Sequence, residues 1–180
     1  MRKITNIIKI MKVAQLKRYF VVGDKLLCFI PRTGSTSLLK LIEDKHYPNS
    51  AKGMGITPHF RIRSIIDDHK SPMCAMFRDP IQRFISGCAQ TNRTIAEGIV
   101  ELQNERVDIH IRSQHSYLSE LRETKLFKFP DQIDECAQWL ELPTPVPTLN
   151  VSKEKPVATE EEIAWLREYY KRDIEIFNAL

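Results

Sequence analysis

The chain has 180 residues, enough for one domain that buries about 70% of the surface its unfolded form exposes. Apolar residues make up 42% and charged residues 28%, the balance of ordinary soluble globular proteins, which excludes disordered and fibrous classes. A formal net charge of +4 is too small to announce a nucleic-acid binder, so any functional basicity has to be concentrated at one anionic site.

The opening stretch MRKITNIIKIMKV is basic and partly apolar, but Lys9 and Lys12 interrupt it well before the roughly 18 apolar residues a membrane span requires. Residues 1–17 therefore read as a basic N-terminal segment of a single domain, neither signal peptide nor anchor, and a cytoplasmic location is expected. Residues 19–22 and 26–30 are apolar and β-prone, with Gly23-Asp24 as a turn between them, which predicts a hairpin leading into a buried strand. That strand stops at Pro31. From Thr36 onward Leu38, Leu39, Leu41 and Ile42 recur at helical spacing until Pro48, and Gly53 and Gly55 then mark a loop.

Residues 72–77, PMCAMF, predict a second buried strand, and Asp79-Pro80 marks a helix start. Ile81, Phe84, Ile85 and Cys88 share one helical face that goes to the core, leaving Gln82, Arg83 and Ser86 on the other side. A polar helical stretch is expected from Ile95 to Glu105, a short strand over residues 126–129, and a helix over 130–140 with Ile133, Cys136, Ala137 and Leu140 inward. PTPVPTLN, residues 143–150, reads as a spacer loop. Thr159 and Glu162 form a capping box for a last helix whose Ile163, Leu166, Tyr170, Ile174 and Phe177 make one apolar stripe. Cys28, Cys74, Cys88 and Cys136 lie far apart in apolar patterns without metal-ligand spacing and read as reduced core thiols. Strands alternating with helices predict an α/β fold, a three-layer arrangement of helices around a central, mostly parallel sheet.

The chemistry concentrates in two places. In PRTGSTS a strand, a loop and a helix start meet, where backbone N–H groups converge on a ready anion site. Gly34 lets the main chain approach closely, Ser35, Thr36 and Ser37 add hydroxyls, and Arg32 adds a fixed charge. The same hydroxyls are also ordinary helix caps. The Walker pattern is absent, because no lysine follows Gly34. The second strand ends in FRDPIQRFISG, and in a parallel sheet its end lies beside the first loop, so Arg78 and then Ser86 would face the same crevice.

This pairing resembles the sulfotransferase family that uses 3′-phosphoadenosine 5′-phosphosulfate (PAPS) as donor, particularly its carbohydrate-type branch. The resemblance runs in family order from about Leu26 over most of the chain. It implies a P-loop-like fold in which Arg32, Thr33, Gly34, Ser35, Thr36 and Ser37 bind the 5′-phosphosulfate, and the RDPxxRxxS segment, through Arg78 and Ser86, holds the 3′-phosphate. DIHIRSQHSYL looks like the family's DxHxxxQ segment, which implies an acceptor cleft lined by His110, Gln114 and His115. Asn150, Ser152, Tyr170, Asp173 and Phe177 match its C-terminal end. The chain departs from the family with Cys88 where a tyrosine is usual, with Arg32 where many members carry lysine, and in its shortness, from which a reduced acceptor-binding region is expected.

The implied activity is transfer of a sulfuryl group to an acceptor hydroxyl, on a glycan or sugar-containing small molecule, leaving adenosine 3′,5′-bisphosphate (PAP). Arginine stays protonated at any working pH, so Arg32 is expected to act as an electrostatic stabiliser. His59, in ITPHFRI between the two motifs, is the expected general base, with His115 in reserve; His46 and His69 read as surface residues. No metal, nucleic acid or membrane span is expected. The competing readings are an ATP-dependent phosphotransferase, which the missing Walker lysine disfavours, and a non-catalytic module for nucleic acid or anionic glycans, which leaves RTGSTS unexplained.

Overall fold

Gly23 sits at φ +63, a left-handed backbone that glycine adopts without strain, and there β1 (Arg18–Val22) turns back on β2 (Lys25–Phe29) as an antiparallel hairpin. The structure, a computed structural model, describes residues 18–46, 71–104, 107–118, 123–149 and 154–180. His59, His69, Asn150 and Ser152 lie outside the described residues, as does the side chain of His46.

After β2 come α1 (Ser35–His46), β3 (Met73–Arg78), α2 (Pro80–Gln90) and α3 (Ile95–Leu102). A short 3₁₀ turn (Gln114–Tyr117), β4 (Thr124–Phe129), α4 (Ile133–Trp139), α5 (Glu160–Tyr169) and α6 (Lys171–Asn178) complete the order. The sheet runs β1-β2-β3-β4, with β2–β3 and β3–β4 parallel. This is an α/β arrangement with parallel strands and flanking helices.

Leu27, Cys74, Met76 and Phe127 pack with Leu38 and Ile42 of α1 and with Cys136 and Ala137 of α4. Leu26, Cys28, Met73, Ala75 and Phe77 pack with Tyr117 and, further out, Ile176 and Phe177 of α6. Alternate residues of a strand point to opposite faces, so near-continuous apolar runs such as MCAMF are what a sheet covered on both sides requires. A third cluster joins α2, α3 and α5 through Phe84, Cys88, Ile95, Leu102, Leu166 and Tyr170. All four cysteines are buried and unbridged.

Of the residues read as the face of α2 opposite Ile81, Phe84, Ile85 and Cys88, Gln82 is exposed while Arg83 and Ser86 are buried, to 1% and 2% exposure. Two expectations change. The stretch from Ile95 is an amphipathic helix that buries Ile95, Gly98 and Leu102, and it ends at Leu102. The last helix breaks at Tyr170 into α5 and α6, and the Tyr170 hydroxyl donates to the carbonyl of Ile111. Leu166, Tyr170 and Ile174 pack in one cluster across the break, while Phe177 packs against the sheet in another.

Candidate functional site

Because β2, β3 and β4 run parallel, Phe29, Arg78 and Phe129 end at one edge of the sheet, where open α/β sheets bind ligands. A cavity of about 440 Å³ opens there, lined among others by Arg32, Gly34, Arg78, Ser86 and His110. Its backbone floor is the turn between β2 and α1. Arg32 and Gly34 sit at φ 69 and φ 76, left-handed on either side of Thr33. Ser35 and Thr36 open α1, so their N–H groups belong to the first turn, which lacks intrahelical acceptors.

The hydroxyls of the loop have separate duties. Thr33 is 1% exposed and its Oγ1 donates to the Ile30 carbonyl at 2.8 Å, which ties the turn to the strand end. Ser37 Oγ accepts from Leu149 N at 3.2 Å. Ser35, Thr36 and Ser37 all border the cavity. Residues 146–149 of the proline-rich stretch, read from sequence as a spacer, form one of its walls.

Arg32 reaches across to α2: Nε and Nη2 stand 3.0 and 2.8 Å from Ser86 Oγ, and Nη1 stands 2.8 Å from Gln90 Oε1. Arg78 Nη1 donates to the Arg32 carbonyl at 3.0 Å, and its guanidinium lies 5.4 Å from the Phe129 ring centre. Both arginines and Ser86 therefore line a single cavity. Burial, and then the neighbouring positive charge of Arg83, pulls Arg32 below the usual arginine pKa. Burial followed by Arg32 and Arg83 does the same to Arg78. Such groups remain cationic, and an anion placed between them would relieve their mutual repulsion. Lys155 adds a further cation, and no carboxylate is among the described lining residues. The rest of the wall is apolar, with Phe29, Phe129, Ile133, Val146 and Leu149.

Arg83 holds this geometry from inside. Its guanidinium donates to the carbonyls of Pro31 (2.9 Å), Arg112 (2.7 Å) and Ile109 (3.1 Å), so it stitches the β2–α1 turn to the 107–113 loop. Gln114, expected at the acceptor, is fully buried and does not line the cavity. Its amide clasps the backbone of Arg78, with Arg78 N to Oε1 at 3.0 Å and Nε2 to Arg78 O at 2.7 Å. His115 is not on the cavity wall either: its Nδ1 pairs with the buried Asp173 at 2.7 Å, and Asp173 also accepts from the N–H groups of Gln114 and His115. His110 does line the cavity, with Nδ1 2.8 Å from Asp108 Oδ1.

Cys88 stands off the cavity, packed where α2 meets α3, and burial pushes its thiol up to about 11, so it is an inert core group. Sequence reasoning missed Gln90, Asp108 and Lys155. Asp108 had a signal, standing two residues before His110 in DIH; Gln90 and Lys155 had none. Among the described residues no group of His, Cys, Asp and Glu is placed to hold a metal ion, and no helix is long and apolar enough to cross a membrane. In comparisons with known proteins the chain matches no family model, no curated protein and no solved structure.

Proposed function

We propose that the chain is a PAPS-dependent sulfotransferase with a P-loop-like three-layer frame, transferring a sulfuryl group to a hydroxyl of a carbohydrate-type acceptor in the cytoplasm. The observation that carries this reading is one cavity lined together by Arg32, Arg78 and Lys155, with no carboxylate among its described lining residues, beside an apolar wall. A doubly phosphorylated nucleoside matches both halves, with anionic ends for the cations and a flat base for the aromatic and aliphatic side. The volume falls within the range of about 300–1,000 Å³ usual for small-molecule sites.

In this reading the first-turn N–H groups of α1, with Ser35 and Thr36, receive the 5′-phosphosulfate, and Arg78 with Ser86 receives the 3′-phosphate. Arg32 belongs to the first loop by its backbone and to the Ser86 end by its guanidinium, so it links the two subsites. The charge that gathers on the 5′-phosphate oxygen as the sulfuryl group leaves, in a loose in-line displacement governed by positioning and electrostatics, is met by the first-turn N–H groups of α1, with Arg32 adding its charge from the Ser86 side of the cavity. PAP is the product. The expected base His59 lies outside the described residues.

A thermal-shift titration tests the reading. PAP at 100 times its dissociation constant should add about 2.7 kcal/mol of stability. ATP with Mg²⁺ should act more weakly, and heparin fragments should not compete with PAP. Stabilisation by ATP with Mg²⁺ alone would select a phosphotransferase, and by heparin alone a glycan binder.

A further inference from the structure

Transfer to a hydroxyl releases a proton, and the cavity wall carries a group fit to take it. We propose that His110, oriented by Asp108, is the general base that accepts the proton of the acceptor hydroxyl, an assignment that rests on the sulfotransferase reading. His110 borders the same cavity as Arg32, Arg78 and Ser86. Its Nδ1 lies 2.8 Å from Asp108 Oδ1, which also accepts the His110 backbone N–H at 2.7 Å. An ionised carboxylate only accepts, so Nδ1 carries the hydrogen of the neutral ring and Nε2 keeps its lone pair. Nε2 has no protein partner among the described residues.

The pair is rigidly mounted. A Cβ on Gly87 would stand 2.6 Å from the His110 carbonyl oxygen, so α2 packs directly on this stretch of backbone. Arg83 holds the carbonyls on both sides, at Ile109 and Arg112. Burial pushes the Asp108 carboxyl up, but the backbone and side-chain hydrogen bonds from His110 and the charge of Arg93 pull it down, leaving it below the usual range and ionised at neutral pH. Among the described residues the charged groups around the pair are Arg93, 3.7 Å from Asp108; Glu101, which accepts from Asp108 N at 2.9 Å; Arg112, which donates to the Val107 carbonyl; Arg83 behind the loop; and Arg32, Arg78 and Lys155 on the cavity wall. The second His–Asp pair, His115 with Asp173, has the same form but lies off the cavity.

In the step, Nε2 takes the hydroxyl proton while the acceptor oxygen bonds to sulfur. The bond from sulfur to the 5′-phosphate oxygen breaks, and its electron pair stays on the phosphate. His110 loses its proton to solvent after PAP and the sulfated product depart.

The test uses the full chain with radiolabelled PAPS, and with unsulfated chondroitin and heparosan oligosaccharides, or water, as acceptors. His110→Asn keeps a donor to Asp108 but removes Nε2, and should lower turnover roughly 100-fold or more while leaving the PAP-induced thermal shift intact. Asp108→Asn should lower turnover about 10-fold and displace the acid limb of the pH–rate profile, as expected of a residue that positions the base. A wild type that ignores PAP removes the sulfotransferase reading and the base with it. If the wild type binds PAP and His110→Asn turns over at the wild-type rate, the base alone is overturned. Loss of the PAP shift in His110→Asn also overturns it, by moving His110 into the donor site, and so does a wild type that binds PAP but transfers to none of these acceptors.

Discussion

At Gly34 a Cβ would stand 2.5 Å from Phe129 Cε2 and 2.8 Å from Ile133 Cδ1, on a backbone at φ +76. Gly34→Ala should therefore cost about 2 kcal/mol from strain and overpacking, read as a lower urea midpoint with unchanged slope. Arg78 tests donor binding. Loss of a charged hydrogen-bond donor to phosphate is worth about 2 kcal/mol, so Arg78→Ala should weaken PAP binding roughly 30-fold by calorimetry. The importance of Gly34 was legible in PRTGSTS, although its reason was only half visible: the sequence pointed to close approach of a ligand, and the structure adds the ring of Phe129 from β4 behind it. Arg83 was illegible. Helical periodicity assigns it to the polar side of α2, and nothing local shows that the Pro31, Ile109 and Arg112 carbonyls converge there to receive a guanidinium.

At the scale of elements, the β2–α1 and β3–α2 units were readable because each carries its own punctuation. Pro31 ends one strand, and Asp79, whose side chain accepts from Gln82 N at 2.8 Å, caps the helix after the other. The Thr159–Glu162 capping box was equally plain and is formed. The break at Tyr170 was not, because a stripe of period near 3.6 continues through it; the hydroxyl's carbonyl partner Ile111 is remote in sequence. The 107–113 loop carries a pH signature. Folding depresses the Asp108 pKa, so the stability it contributes is fully present above the ordinary aspartate value of about 3.9 and fades as pH falls through the lower folded value. Acid urea titrations should show the wild type losing stability more steeply below about pH 4 than Asp108→Asn.

Across the whole molecule, a net charge of +4 says little, and its distribution says more. Three described cations meet at the carboxyl ends of the parallel strands, brought there from a loop, a strand end and the segment after the proline-rich wall. Sequence order alone placed Arg32 and Arg78 near each other, through the parallel-sheet rule. It did not reveal the wall of residues 146–149, because proline-rich composition looks the same in a spacer as in a cavity lining. A crystal structure of the protein grown with PAP decides whether one nucleotide spans both arginine-bearing turns. The 3′-phosphate should lie within hydrogen-bond distance of Arg78 and Ser86, and the 5′-phosphate against the N–H groups of Ser35 and Thr36. PAP bound elsewhere, or bound here with neither phosphate on these groups, would contradict the account.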